Sequence, residues 1–158
     1  MNVEQLAKRI EALEESHAIV AIQATMNRYT RSADFGPPED WVDCFMPDGT
    51  YETVLEDGRV VARGQGPEAL LAVVRASNAT YTGGRHFIMA PDIHVDGDTA
   101  TATSLMGTFA GLPDNARFRL IGRYEDVLRR CADGRWRFVS RRSLIQGRAA
   151  EFAAELRS

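Results

Sequence analysis

Apolar positions in the first third of the chain recur at helical steps. Ile19, Ile22, Met26, Tyr29 and Ala33 lie three or four residues apart and form one apolar stripe. Leu6, Ile10 and Leu13 form a similar stripe upstream, and Ser16 between the two is a candidate cap for a second helix. The pattern stops at Asp34-Phe35-Gly36-Pro37-Pro38, where a glycine and paired prolines forbid continuation. A short helix from Glu39 to Phe45 is predicted next, presenting Trp41 and Phe45. Met46-Pro47-Asp48-Gly49 reads as a turn.

Beyond that turn the period falls toward two. Thr50 to Leu55 and Arg59 to Arg63 flank Glu56-Asp57-Gly58, a hairpin pattern. Pro67 opens a predicted helix through Ala76, with Leu70, Leu71 and Val74 apolar. After a loop from Ser77 to Gly84 come four long strands, over 85–95, 99–110, 117–130 and 136–146. Asp96-Gly97-Asp98 and Asp133-Gly134 supply tight turns, and Arg148 to Arg157 can form a terminal helix. Sequential hairpins imply an antiparallel or mixed sheet rather than a doubly wound parallel one. The expected architecture is α+β: a curved sheet against N-terminal helices, a half-open cone enclosing a pocket.

Composition narrows the function classes. The chain has 158 residues, 44% hydrophobic and 26% charged, which suits one ordinary domain spanning 1–158. Its net charge of -3 argues against nucleic acid as the main partner. No apolar run reaches a bilayer-spanning length, and the charged start is not a signal peptide, so no membrane role and a cytoplasmic location are expected. Cys44 and Cys131 share no short spacing, so they are read as reduced thiols rather than metal ligands.

No P-loop, dinucleotide glycine fingerprint, GxSxG or HExxH occurs. A looser set of candidates remains. Asp34 ends the first helical region, with Tyr29 five residues before it. His86 follows Gly83-Gly84-Arg85 at a strand start, and Arg141 lies on the last strand. Each has a plainer reading: Asp34 as a loop residue bonding nearby amides, His86 as a satisfied structural histidine, Tyr29 as core, Arg141 as surface. Arg141 and Arg142 must face opposite ways on a strand, so one of them points inward. Trp41, Phe45, Phe87, Met106 and Phe109 are candidates for the pocket wall. His17 and His94 read as surface residues.

Three stretches together resemble the SnoaL-like family of the nuclear-transport-factor-2-like superfamily. They are Arg28-Tyr29-Thr30-Arg31-Ser32-Ala33-Asp34, Arg85-His86-Phe87 with Pro91-Asp92-Ile93, and Gly122-Arg123-Tyr124-Glu125-Asp126 with Asp133-Gly134-Arg135-Trp136. Within that superfamily, scytalone dehydratase, bile-acid 7α-dehydratase and hexachlorocyclohexane dehydrochlorinase abstract a proton with an Asp–His pair. The resemblance implies that Asp34 and His86 are that pair. It implies that Tyr29 polarises a substrate oxygen and that Arg141 stabilises a leaving anion. One departure stands out. The bile-acid enzyme carries a further acid on the strand after its histidine, whereas here that stretch is Met106-Gly107-Thr108-Phe109.

The expected function is therefore cofactor-independent proton abstraction, by a dehydratase- or isomerase-type lyase, from a small, largely apolar substrate. No cofactor or metal is called for. A non-catalytic module for a small hydrophobic ligand and an assembly subunit of the same fold are the alternatives. A broad exposed sheet face predicts a homodimer or homotrimer.

Overall fold

The computed structural model describes residues 2–80, 83–111 and 113–149. The chain opens with one helix, α1, over Val3–Phe35. Two helices divided at Ser16 were expected, but the helix is continuous. Ser16 does not cap: its hydroxyl donates to the Ala12 carbonyl one turn back, 2.8 Å away, and is satisfied without breaking the ladder. The true N-cap is Asn2, whose side chain accepts from the Gln5 amide while the Gln5 side chain accepts from the Asn2 amide. At the other end the Gly36 amide donates to Ser32, and Pro37-Pro38 follow.

A short helix, α2, spans Pro38–Val42, ending three residues before the expected boundary. Phe45 instead begins the first strand, β1, over Phe45–Val54. The predicted turn at 46–49 is thus an irregularity within β1, where pairing slips between Phe45 and Thr50. Gly49 makes that slip possible, because a Cβ there would sit 2.8 Å from the Phe138 carbonyl oxygen. Then come β2 (Val60–Gln65), α3 (Gly66–Thr80), β3 (Arg85–Asp96), β4 (Thr99–Ala110), β5 (Arg117–Arg130) and β6 (Trp136–Arg148). The helix α3 runs four residues past its expected end at Ala76. Of the expected terminal helix, Arg148 belongs to β6, Ala149 is not helical, and 150–157 lie outside the described residues.

The six strands form one sheet in the order β2-β1-β6-β5-β4-β3. Only β1 and β6 pair in parallel; the other neighbours are antiparallel. The sheet is mixed, curved and unclosed, with α1 and α3 packed on its concave face. Residues Ile22, Met26 and Tyr29 of α1, and Leu70 and Val74 of α3, meet Leu128, Trp136, Phe138 and Ile145 in the core. The Thr25 hydroxyl donates to the Trp136 carbonyl at 2.6 Å and pins α1 to the last strand.

Candidate functional site

A cavity of about 620 Å³ lies between the helices and the concave face. Which side chains enter it follows from strand alternation. On β3, His86 and Ile88 point inward and are partly buried, while Phe87 and Met89 point outward. On β4, Ala100, Ala102, Ser104, Met106 and Thr108 are buried at every second position. The β3–β4 register sets His86 beside Thr108.

Asp34 and His86 come together although 52 residues separate them. The helix α1 carries Asp34 one residue before its end, and His86 is the second residue of β3. One carboxylate oxygen of Asp34 accepts the His86 backbone N–H at 2.9 Å; the other lies 2.6 Å from Nδ1. A carboxylate only accepts, so this contact puts a hydrogen on Nδ1 and leaves Nε2 of a neutral ring with its lone pair. The Asp34 side chain is 5% exposed and that of His86 25%. His86 lines the cavity, and the carboxylate stands behind it.

Tyr29 also lines the cavity, from the inner face of α1, and is 4% exposed. Tyr124 enters from β5. Burial, then the neighbouring tyrosines, hold the Tyr29 phenol well above its ordinary pKa of 10.0; burial does the same for Tyr124. Both hydroxyls therefore keep their protons and can donate.

Arg141 faces inward and Arg142 outward, where it lies between Glu52 and Glu125. Arg141 nevertheless does not line the cavity. It is wholly buried beneath the tyrosines and bonds Asp126 through two N–H groups, at 2.8 and 2.9 Å. Its guanidinium lies 4.0–4.2 Å from the ring centres of Tyr29, Tyr124 and Phe138. The implied direct contact with a leaving anion does not fit this placement, since a buried acid on the adjacent strand already holds the cation.

The expected pocket wall divides. Trp41 and Met106 line the cavity. Phe45 is buried in the aromatic core, 4.8 Å from Trp41 and 6.1 Å from Tyr29 between ring centres, and stands outside the cavity lining. Phe87 and Phe109 are corrected to the outer face. Inward-facing His86 and Thr108 force their next neighbours out, and the two rings stack edge-on at 5.4 Å in the open.

Among the lining residues that sequence reasoning missed are three polar ones, Arg119, Thr108 and Tyr124. Arg119 is only 4% exposed. The β4–β5 register slips between Thr108 and Phe109, so Arg119 and Leu120 are buried in succession. No alternation pattern could have announced that. Thr108 has a buried hydroxyl with no partner among the described residues, and it sits directly across the ladder from His86. Among the described residues no group of three or more His, Cys, Asp or Glu could hold a metal ion, and no helix is long and apolar enough to cross a membrane.

A family model described as a SnoaL-like domain matches residues 14–142. Among solved structures, an NTF2-like protein with a cystatin-like fold from Novosphingobium aromaticivorans is 28% identical, with TM-score 0.74 over 99% of this chain and 97% of that one. A protein of unknown function from Mycobacterium tuberculosis is 27% identical, with TM-score 0.75 over 90% and 79% of the two chains. A candidate scytalone dehydratase, also from Novosphingobium aromaticivorans, is 20% identical, with TM-score 0.70 over 85% and 88%, a likeness of fold alone. No curated protein gives a significant match.

Proposed function

The chain belongs to the SnoaL-like domain family, and from that premise we propose that it is a cofactor-independent enzyme that removes a proton from a small, largely apolar substrate. The observation that carries this reading is the 2.6 Å contact between Asp34 and Nδ1 of His86, with the imidazole on the cavity and the carboxylate hidden behind it. His86 takes the proton at Nε2. The electrons of the broken C–H bond move into an adjacent carbonyl, giving an enolate. Tyr29 and Tyr124 donate hydrogen bonds to its oxygen. Asp34 holds the ring in the productive tautomer and stabilises the imidazolium. The imidazolium then returns the proton at another carbon, an isomerisation, or protonates a departing hydroxyl, a dehydration. The apolar share of the lining, including Trp41, Val61, Met106 and Ile145, suits a mostly hydrocarbon skeleton.

The test needs no knowledge of the natural substrate. 5-Nitrobenzisoxazole loses a C–H proton to a base, its N–O bond breaks, and a coloured nitrile phenolate forms. The wild type should turn it over above the buffer rate. His86→Ala should lose about 10²–10⁴-fold, the usual contribution of a positioned general base, and Asp34→Asn should lose a comparable factor. Equal turnover by the wild type and both folded variants would refute the proposal and favour a non-catalytic ligand-binding module.

The same proposal makes the chain a homodimer or homotrimer. Its support is the outer sheet face, where Phe87, Met89, Leu105, Phe109, Phe118, Ile121 and Val127 are exposed together. Two unpaired cysteines suit a reducing compartment such as the cytoplasm.

A further inference from the structure

We infer that Phe35 and Arg85 are positioning residues: stacked on each other, they form a clasp that holds Asp34 and His86 together. The inference rests on the proposed reaction only in taking that pair as the working base. The Arg85 guanidinium lies 4.3 Å from the centre of the Phe35 ring. Phe35 follows Asp34 at the end of α1, and Arg85 precedes His86 at the start of β3. By strand alternation Arg85 leaves β3 on the side opposite His86. Consecutive residues of α1 therefore hold consecutive residues of β3 from its two sides. Arg85 is itself steadied by a hydrogen bond from Nη1 to the Gly84 carbonyl.

Both chain segments that meet here need such a hold. β3 stands last in the sheet order, and among the described residues it pairs with β4 alone, so no strand braces its outer side. It is entered through Gly83-Gly84, with Gly83 at φ 71°, where the backbone has its widest freedom. On the other side, Asp34 places a carboxylate in the last turn of α1. That is the negative end of the helix dipole, where an anion is disfavoured. The turn contains no basic residue of its own. Arg85 brings the missing cation across from β3, and the Phe35 ring keeps it there. Core burial does not explain the ring, since Phe35 is 69% exposed. The 2.6 Å contact of Asp34 with Nδ1 depends on the placement of both segments.

The test follows the Nδ1 proton of His86 by nuclear magnetic resonance of the full chain carrying isotopically labelled histidine. His17 and His94 are exposed, so the slowly exchanging ring N–H belongs to His86, and it should vanish in Asp34→Asn. Loss of an exposed cation–π contact weakens a closed arrangement by about two- to five-fold. Exchange of that proton with water should quicken by this factor in Phe35→Leu and in Arg85→Met, and by no more in the double variant. Phe35→Trp keeps a ring for the cation and should exchange as the wild type does. On 5-nitrobenzisoxazole the two single variants should lose up to the same factor in kcat, with KM unchanged. Wild-type exchange in Phe35→Leu, additive effects in the double variant, or Phe35→Trp exchanging as fast as Phe35→Leu would each overturn the inference. Proton exchange does not depend on turnover. A wild type inert toward 5-nitrobenzisoxazole would end the proposed function, and the exchange rates alone would then decide for or against the clasp.

Discussion

Replacing Asp126 by Asn should be among the most destabilising single changes available to this chain. The substitution keeps the shape and removes the charge. Both Asp126 and Arg141 have fully buried side chains, and two N–H···O bonds of 2.8 and 2.9 Å join them. One guanidinium nitrogen, Nη1, is already without a partner among the described residues. An amide in place of the carboxylate can accept through only one atom, so a second donor is stranded and the cation loses its counter-charge. Removing one partner from a buried pair costs about 3–5 kcal/mol, because the remaining charge cannot reach water. The three rings around Arg141 offset some of that, so about 3 kcal/mol is expected. For a chain of this size each kcal/mol moves the melting temperature by about 2–4 °C, so Tm should fall by roughly 6–12 °C. Urea unfolding followed by circular dichroism gives the free energy, and a scan gives Tm. Asp126→Leu combined with Arg141→Met should restore most of the loss, as apolar pairs of similar volume often do. A loss below about 1 kcal/mol in Asp126→Asn would refute the reasoning, since the pair would then lack the isolation from water on which it depends.

Alkaline pH should weaken the fold earlier than composition suggests. Burial pushes the Cys44 thiol from 9.0 to about 12 and holds Tyr29 and Tyr124 above 10.0. Their protonated forms are favoured in the folded state, so stability is whole below pH 9 and falls as pH rises toward 12, by up to about 1.4 kcal/mol per pH unit per group. Lys8 is the only lysine, so an alkaline limb in urea midpoints between pH 8 and 10.5 cannot be assigned to lysines; a flat profile would contradict it. Phe109→Glu puts a charge in the middle of the exposed Phe87–Phe109–Phe118 row and should reduce any sheet-mediated association seen in sedimentation, with no change in far-ultraviolet dichroism.

What the sequence revealed, and what it concealed, follows from how local each cause is. Hairpin glycines, strand periodicity and the Gly36-Pro37-Pro38 stop act within a few residues, and the four long strands begin where those features place them. The turn at Met46-Pro47-Asp48-Gly49 failed for the opposite reason. Its residues have turn propensities, but a strand about 90 residues away pairs with the residues on either side, Phe45 with Phe138 and Thr50 with Ser140, so the turn is absorbed as an irregularity within β1. Ser16 failed likewise: a serine inside a helix can bond back to the preceding turn, and the sequence does not say which choice it makes. The meeting of Asp34 with His86 was available only through family resemblance, since nothing local links positions 52 residues apart. Phe87 and Phe109 were assigned to the pocket on hydrophobicity, although the alternation that puts His86 inside already required them to face out.

The buried pair and the cavity are one construction. In the sheet register Tyr51, Arg141 and Asp126 lie side by side across β1, β6 and β5, and the next inward row carries Thr53, Ser143 and Tyr124. The cation is therefore one row away from Tyr124, which lines the cavity, and it is stacked on Tyr124 and on Tyr29 from α1. Holding a guanidinium there fixes both rings from beneath, and their hydroxyls with them. A carboxylate at position 126 makes that arrangement affordable in a dry interior. Under the proposed reaction, Arg141 then acts through the two tyrosines and not on the substrate. A smaller apolar residue at 141 should loosen the phenols, lowering turnover of 5-nitrobenzisoxazole while leaving the Asp34–His86 contact and its pH profile in place. A shifted pH profile in Arg141→Met would instead mean that the cation acts on the base itself, and the division of roles drawn from the register would be wrong.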